Sequence, residues 1–348
     1  MKGIWLIPAF WIPVAHALTF GDCLNLEKGN APLVAQRDCY KRLVMPAEQA
    51  TVEPPEKQRV KAAPIKRTAK APNENPAEDL LLSQWDPVEN GMLSAYRQNY
   101  LLPISHSSNM NNAPTSPNPN NQVPYSYPLD NTEAKFQFSF KSRLWRDDNR
   151  DWAAWFGYTQ LSFWQFWDPS HSRPFRESNY EPELIVSKRF TKDASGLAPR
   201  LLNVAIDHQS NGQSNPRSRS WNRIYVQAGF ENDDFDGGKL IVLPRIWARV
   251  FQESDPAQND NPDITRYLGY GDIQMIYLKG YELSAIARMR SLQLDYSYPF
   301  DRILNYFSSD WHSDFDFHLQ YFTGYGESLI DYNYRQNTWG VGVSLPLK

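Results

Sequence analysis

The segment DHQSNGQSNPRSRSWNR, from Asp207 to Arg223, concentrates more chemically capable side chains than any other stretch of the chain. Before it, Leu202, Val204 and Ile206 recur at every second residue, and after it Ile224, Val226, Ala228 and Phe230 do the same. A period of two belongs to strands, whose side chains alternate between faces. His208 and Ser210 continue the apolar row of the first strand, while Ser220 and Asn222 are in phase with that of the second. Asn203, Asp207 and Gln209, with Arg223, Tyr225 and Gln227, take the opposite faces. A hairpin centred near Asn215 would set position 208 opposite 222. Three polar side chains on an apolar face are costly unless they act together. The action available to them is nucleophilic catalysis, with Ser210 as nucleophile, His208 as general base and Asn222 accepting the hydrogen bond of the second imidazole N–H. An amide cannot neutralise the imidazolium, but at an apolar boundary an unpaired carboxylate carries the larger desolvation cost. A His-x-Ser pair alone is a weak signal; the shared phase of all three gives it weight.

The elements that must position these residues are strands. From about Ala134 onward, Phe136, Phe138 and Phe140 alternate with polar residues, and near the end Val341, Val343, Leu345 and Leu347 alternate with Gly340, Gly342, Ser344 and Pro346. About eleven such segments follow residue 134, and Tyr100 to Ser105 makes twelve, an even number as a closed antiparallel bacterial barrel requires. The 348 residues have a net charge of -3 and a mean hydropathy of -0.61, which on average describes a polar, soluble chain. A membrane barrel produces the same average, because lipid-facing and lumen-facing residues alternate. Beyond the first residues no apolar run approaches the length of a membrane-spanning helix, and there is no basic footprint for nucleic acid. A soluble β-sandwich or lipocalin-like barrel is the alternative; 12 Trp, 19 Tyr and 18 Phe fit the girdles of a membrane barrel better. The expected fold is all-β: an antiparallel transmembrane β-barrel of about twelve strands behind a mostly irregular N-terminal extension.

The extension has three parts. MKGIWLIPAFWIPVAHA, residues 1–17, combines a lysine, a short apolar stretch and a small-x-small end, which is the pattern of a cleaved secretory signal peptide. A short anchor helix is the competing reading, disfavoured by Pro8 and Pro13. Cys23 and Cys39 are the only cysteines, and in an exported protein they are expected to form a local disulfide worth roughly 3 kcal/mol. Between Met45 and Glu78, prolines interleave with Lys57, Arg59, Lys61, Lys66, Arg67 and Lys70, the composition of a solvated linker. Residues 18–78 thus read as a periplasmic extension and 79–348 as the barrel. Ser107 to Val123, rich in Asn and Pro, reads as loop.

The string from Asp207 to Tyr225, DHQSNGQSNPRSRSWNRIY, closely resembles the active-site segment of the outer-membrane phospholipase A family. Further matches are YTQ at Tyr158–Gln160, PFRESNYEPEL at Pro174–Leu184, DNPDITRYLGY at Asp260–Tyr270 and GYGESLIDYN at Gly324–Asn333, so the resemblance runs over roughly residues 79 to 347. It implies a twelve-stranded outer-membrane barrel that hydrolyses phospholipid acyl esters with calcium. It also implies His208 as base, Ser210 as nucleophile, Asn222 as orienter and the Gly212 amide as oxyanion donor, assisted by calcium-polarised water. The calcium ligands it implies are Ser218 and the Gln213 carbonyl on one subunit and Ser172 on the other, with Gln160 at the dimer interface. Asp260 resembles a ligand of a second calcium site seen in the monomeric state.

The chain departs from the family at four places. Gln213 replaces an arginine, Arg173 replaces a serine beside Ser172 and so brings a positive charge near the cation, Asn215 replaces the second site's other carboxylate, and the C-terminus lacks the usual aromatic residue. His106, His171, His312 and His318 have no partner at useful spacing and are expected at the surface or in a girdle. The leading expectation is a phospholipase A1/A2 that is a dormant monomer and an active homodimer. The alternatives are a passive barrel, such as a porin or translocator, and a secreted soluble esterase.

Overall fold

The computed structural model describes residues 80–346, apart from 86–89, 124–127, 192–198, 254, 256–257 and 307–312. The expected signal peptide, the Cys23/Cys39 loop, the Pro/Lys-rich linker and His312 lie outside the described residues. A short helix, α1 (Leu80–Ser83), is followed by β1 (Leu93–Ala95), β2 (Tyr100–Ser107), β3 (Thr132–Arg146), β4 (Trp152–Trp164), β5 (Phe175–Arg189) and β6 (Leu201–Ser210). Then come β7 (Ser220–Phe235), β8 (Gly238–Val250), α2 (Ile264–Leu268), β9 (Gly271–Leu278), β10 (Glu282–Arg288), β11 (Ser291–Pro299), α3 (Phe300–Leu304), β12 (Asp316–Tyr325) and β13 (Arg335–Ser344).

Every strand from β2 to β13 pairs antiparallel with its sequence neighbour, and β13 pairs back onto β2, so twelve strands close on themselves as expected. The thirteenth, β1, was not foreseen; it extends the β2 side of β3, matching Leu93 with Ser142 and Ala95 with Phe140. Pro103, which has no N–H for the ladder, falls where the β2–β3 register shifts between Leu102 and Ser105.

The alternation separates two environments. Val204, Ile206, Ile224 and Val226 project outward and are 40–45% exposed, an apolar belt. Their inward neighbours Asn203, Ala205, Asp207, Arg223 and Tyr225 are buried. The lumen is packed with paired charges: Arg97 to Glu181 and Glu183, Arg223 to Glu181 and Asp207, and Arg245 to Asp272. The acidic trio Glu181, Glu183 and Asp207 is therefore already neutralised by arginines. At the rim where β6 begins and β7 ends, α1 sits inside the barrel. Its first two N–H groups donate to the Glu231 carboxylate, each at 3.0 Å, and Leu81, Leu82 and Trp85 join the apolar core with Trp155, Leu201 and Tyr225. The opposite rim carries the described residues of the β2–β3, β4–β5, β6–β7, β8–β9 and β12–β13 connections.

Candidate active site

β6 and β7 form the hairpin, and its register sets His208 against Asn222 and Ser210 against Ser220. His208 is exposed, Ser210 and Asn222 are half-buried, and all three belong to the outward row. His208 Nδ1 lies 2.8 Å from Asn222 Oδ1. The carbonyl oxygen only accepts, so this contact assigns the proton to Nδ1 and leaves the lone pair on Nε2. The outward row continues across the sheet through Tyr180 to Gln160, each directly opposite the next in register. Gln160 accepts from the Tyr158 hydroxyl at 3.2 Å and donates to Ser162 Oγ at 3.0 Å, and Ser162 meets Ser178 at 2.9 Å. A chain of polar groups thus runs over the apolar surface beside Ser210.

Past Ser210 the backbone leaves the ladder. Gly212 has φ +64°, and a Cβ there would stand 3.1 Å from the Tyr180 ring, so two independent constraints select glycine. Asn211 closes the loop: its N–H donates to the Arg219 carbonyl at 3.0 Å, its Oδ1 accepts from the N–H of Arg219 and of Gln213, and its Nδ2 donates to the Arg217 carbonyl. Ser218 donates to Asp260 Oδ2 at 2.6 Å, and Ser220 reaches the same oxygen at 3.3 Å. Ser172 lies on the neighbouring β4–β5 connection, where both it and Arg173 have left-handed backbone, at φ +60° and +50°. Asp168 organises that connection by accepting from the N–H groups of Ser170 and His171 and from His171 Nδ1. Desolvation pushes its carboxyl up, but these hydrogen bonds outweigh it and hold the group below the usual range.

The structure thus joins His208 to Asn222, carries Ser210, Gly212 and Gln213 on the same hairpin, and joins Ser218 to Asp260, while Ser172 and Gln160 sit on β4 or its connection. Three residues that sequence reasoning passed over support the hairpin from behind: Glu177, Asn211 and Asn121. Asn121 is buried in the β2–β3 connection; its Nδ2 donates to the Ser218 carbonyl at 2.9 Å and its own carbonyl accepts from Arg219. Glu177 had one available signal, its place in the inward row of alternating residues Glu177, Asn179, Glu181 and Glu183.

Two expectations about the remaining histidines are corrected. His171 does have a partner at close spacing, Asp168 three residues before it at 2.7 Å. His318 is not at the surface or in a girdle but fully buried in the lumen, in phase with the inward Asp316 and Gln320 of β12. It stacks on Tyr100, meets Ser297 Oγ at 2.9 Å and lies 3.3 Å from Asp295. These are the residue types of a catalytic triad, but sealed inside the barrel they serve packing. His106 meets Thr132 and lies against Trp339.

The family model for Phospholipase A1 matches residues 82–345. A putative phospholipase A1 of Neisseria meningitidis is 38% identical over 267 residues, taking in 73% of this chain and 65% of the relative's length. Phospholipase A1 of Escherichia coli K12 is 37% identical over 223 residues, 61% of this chain and 69% of that protein. The Salmonella typhi outer membrane phospholipase, solved as a dimer with bound calcium, superposes with a TM-score of 0.63 at 30% identity, covering 77% of this chain and 97% of that one. The Escherichia coli outer membrane phospholipase A superposes at 0.61 and 33% identity, covering 73% and 98%. Matched from α1 through the last strand, in sequence and in the closure of its barrel, this chain belongs to the phospholipase A1 family.

Proposed function

We propose that this protein hydrolyses acyl ester bonds of phospholipids and lysophospholipids in a bacterial outer membrane, with Ser210 as nucleophile, His208 as general base and Asn222 as orienter. The observation that carries the reading is the 2.8 Å contact between His208 Nδ1 and Asn222 Oδ1 on the outward apolar face, with Ser210 in the same row. With the Nδ1 proton engaged, Nε2 takes the Ser210 proton as the serine oxygen attacks the ester carbonyl, and returns it to the leaving alcohol. Water then attacks the acyl-enzyme, activated by the same base. The Gly212 N–H donates to the carbonyl oxygen as its charge develops.

A single amide stabilises that charge weakly, and calcium, when bound, supplies further positive charge through water it polarises. Ser218 Oγ, the Gln213 carbonyl and Ser172 of the partner subunit would hold it. All are oxygen donors, as a hard cation prefers, and Ser218 directs its O–H to Asp260 as a hydrogen-bond donor, which leaves its oxygen lone pairs available. A ligand set divided between two copies makes the monomer dormant and the homodimer active, with Gln160 in the contact. The rim that carries the longer connections faces outward, so the site meets the outer leaflet. Residues 1–17 serve as a cleaved signal peptide and 18–78 as the periplasmic extension.

The test is fatty-acid release by detergent-solubilised protein, with calcium and with chelator, beside Ser210→Ala. Expected are a loss on the order of a thousandfold or more in the variant and loss of activity in chelator. Equal release by wild type and variant would sink the catalytic reading and leave a passive barrel. Full activity in chelator would remove the calcium assignment.

A further inference from the structure

Resting on that reading of Ser210, we infer that Glu177 is a positioning residue which, from inside the barrel, holds the 211–213 turn so that the Gly212 amide and the Gln213 carbonyl stand beside the nucleophile. Glu177 is 1% exposed on β5, directly behind the hairpin. Its Oε2 accepts from Asn211 Nδ2 and from Gln213 Nε2, each at 3.3 Å, and its Oε1 accepts from Asn179 Nδ2 at 2.7 Å and from the N–H of Ile330 at 3.2 Å. The adjacent Arg176 directs its guanidinium to Glu133 and Asp331, so the donors to Glu177 among the described residues are all amides. A buried carboxylate is costly unless its lone pairs are filled, and here two of its four partners are the residues flanking Gly212.

The geometry explains what this arrangement achieves. β6 ends at Ser210, and beyond it only the Asn211 N–H bond to the Arg219 carbonyl continues the pairing, so no ladder enforces the alternation at Gly212 and Gln213. Asn211 and Gln213 have the parity of the inward residues Asp207 and Gln209, and one carboxylate oxygen holds both of them on the luminal side. The alternation therefore persists for three residues past the strand. Gly212, between them, is fixed at φ +64° with the Tyr180 ring packed against its other side. Asn211 is fixed in turn by its hydrogen bonds to Arg217 and Arg219, which ties the turn to the start of β7. Glu177 touches neither substrate nor reacting atoms; it acts through Asn211 and Gln213.

An oxyanion donor is worth most in the transition state, so misplacing it lowers kcat and leaves KM nearly intact. Glu177→Gln preserves volume and turns an N–H toward donors that need an acceptor. In full-length protein, assayed on the folded fraction by its unheated gel mobility, we expect kcat to fall about ten- to a hundredfold, with KM within about twofold. Adding Gln213→Glu restores a donor–acceptor pair with the roles exchanged, and should recover part of kcat. A merely structural role would not respond to that exchange. Glu177→Gln at wild-type kcat, a loss confined to KM, or a double variant no better than the single one would each overturn the inference. If Glu177→Gln does not fold, Gln213→Ala, altered only in the loop, carries the test: a severalfold drop in kcat supports the inference and an unchanged kcat overturns it. Absence of activity in the wild type is a different outcome, and overturns the proposed function instead.

Discussion

Gly212 joins a backbone constraint to a packing constraint. An alanine there must hold a left-handed conformation at a cost of about 1 kcal/mol while its Cβ presses on Tyr180 at 3.1 Å. The barrel, closed by ladders elsewhere, should fold normally, so the strain appears as displacement of one amide. For Gly212→Ala we expect kcat to drop about ten- to a hundredfold at nearly constant KM, read from fatty-acid release by matched amounts of folded protein. An unchanged kcat would show that this amide is not the oxyanion donor. At this scale, what the sequence exposes and what it hides have a common cause. His208, Ser210 and Asn222 stand out because they break an apolar row. Glu177 and His318 obey the polar rule of the inward face, and nothing in a list of polar inward residues separates a brace for the site from the ion pairs of Glu181 and Glu183.

Among the elements, the β6–β7 hairpin was readable down to its register, because two apolar rows of opposite sense meet about one centre. The stretch expected as loop from Ser107 to Val123 was readable only as lacking a ladder, although its first residue, Ser107, closes β2 opposite Thr338. Its asparagines replace ladder partners with side-chain amides: Asn118 caps the turn Pro119–Asn121 and donates to the Asn259 carbonyl, and Asn121 binds both Ser218 and Asp260. Composition announces many asparagines but not their partners, which are remote in sequence. Asn121→Ala removes one of the two donors to the Ser218 carbonyl, leaving Arg219 Nη1 at 2.8 Å, and loosens the loop that carries this proposed calcium ligand. Losing a buried hydrogen bond costs about 1–3 kcal/mol, so the variant should unfold at lower urea. It should also need more calcium for half-maximal activity. Wild-type calcium dependence would mean that the brace stabilises the barrel without shaping the site.

For the molecule as a whole, the mean hydropathy of -0.61 averages an apolar belt with a lumen of paired charges. A porin would have the same average, and filling of the lumen is what distinguishes the two. The Arg97, Arg223 and Arg245 clusters occupy the middle, where cavities of about 90 and 120 Å³ lie among the described residues, and α1 with Trp85 stoppers the rim opposite the site. Trp85 is held by edge contacts to Tyr96 and Trp155 and covers the Lys141 ammonium at 4.2 Å. That ammonium has no hydrogen-bond partner among the described residues, so the three rings are its counterpart. A desolvated cation–π contact is worth up to about 2 kcal/mol, which ties the stopper to the wall by a charge that water would otherwise claim. In planar bilayers the wild-type protein should therefore carry no steady ohmic current. Trp85→Ala, which uncovers Lys141 and admits water to the mouth, should give flickering conductance while fatty-acid release, governed by the far rim, stays near the wild-type rate. A steady pore in the wild type would favour the passive barrel. Silence from a folded Trp85→Ala would place the seal in the arginine clusters of the middle and leave α1 as packing alone.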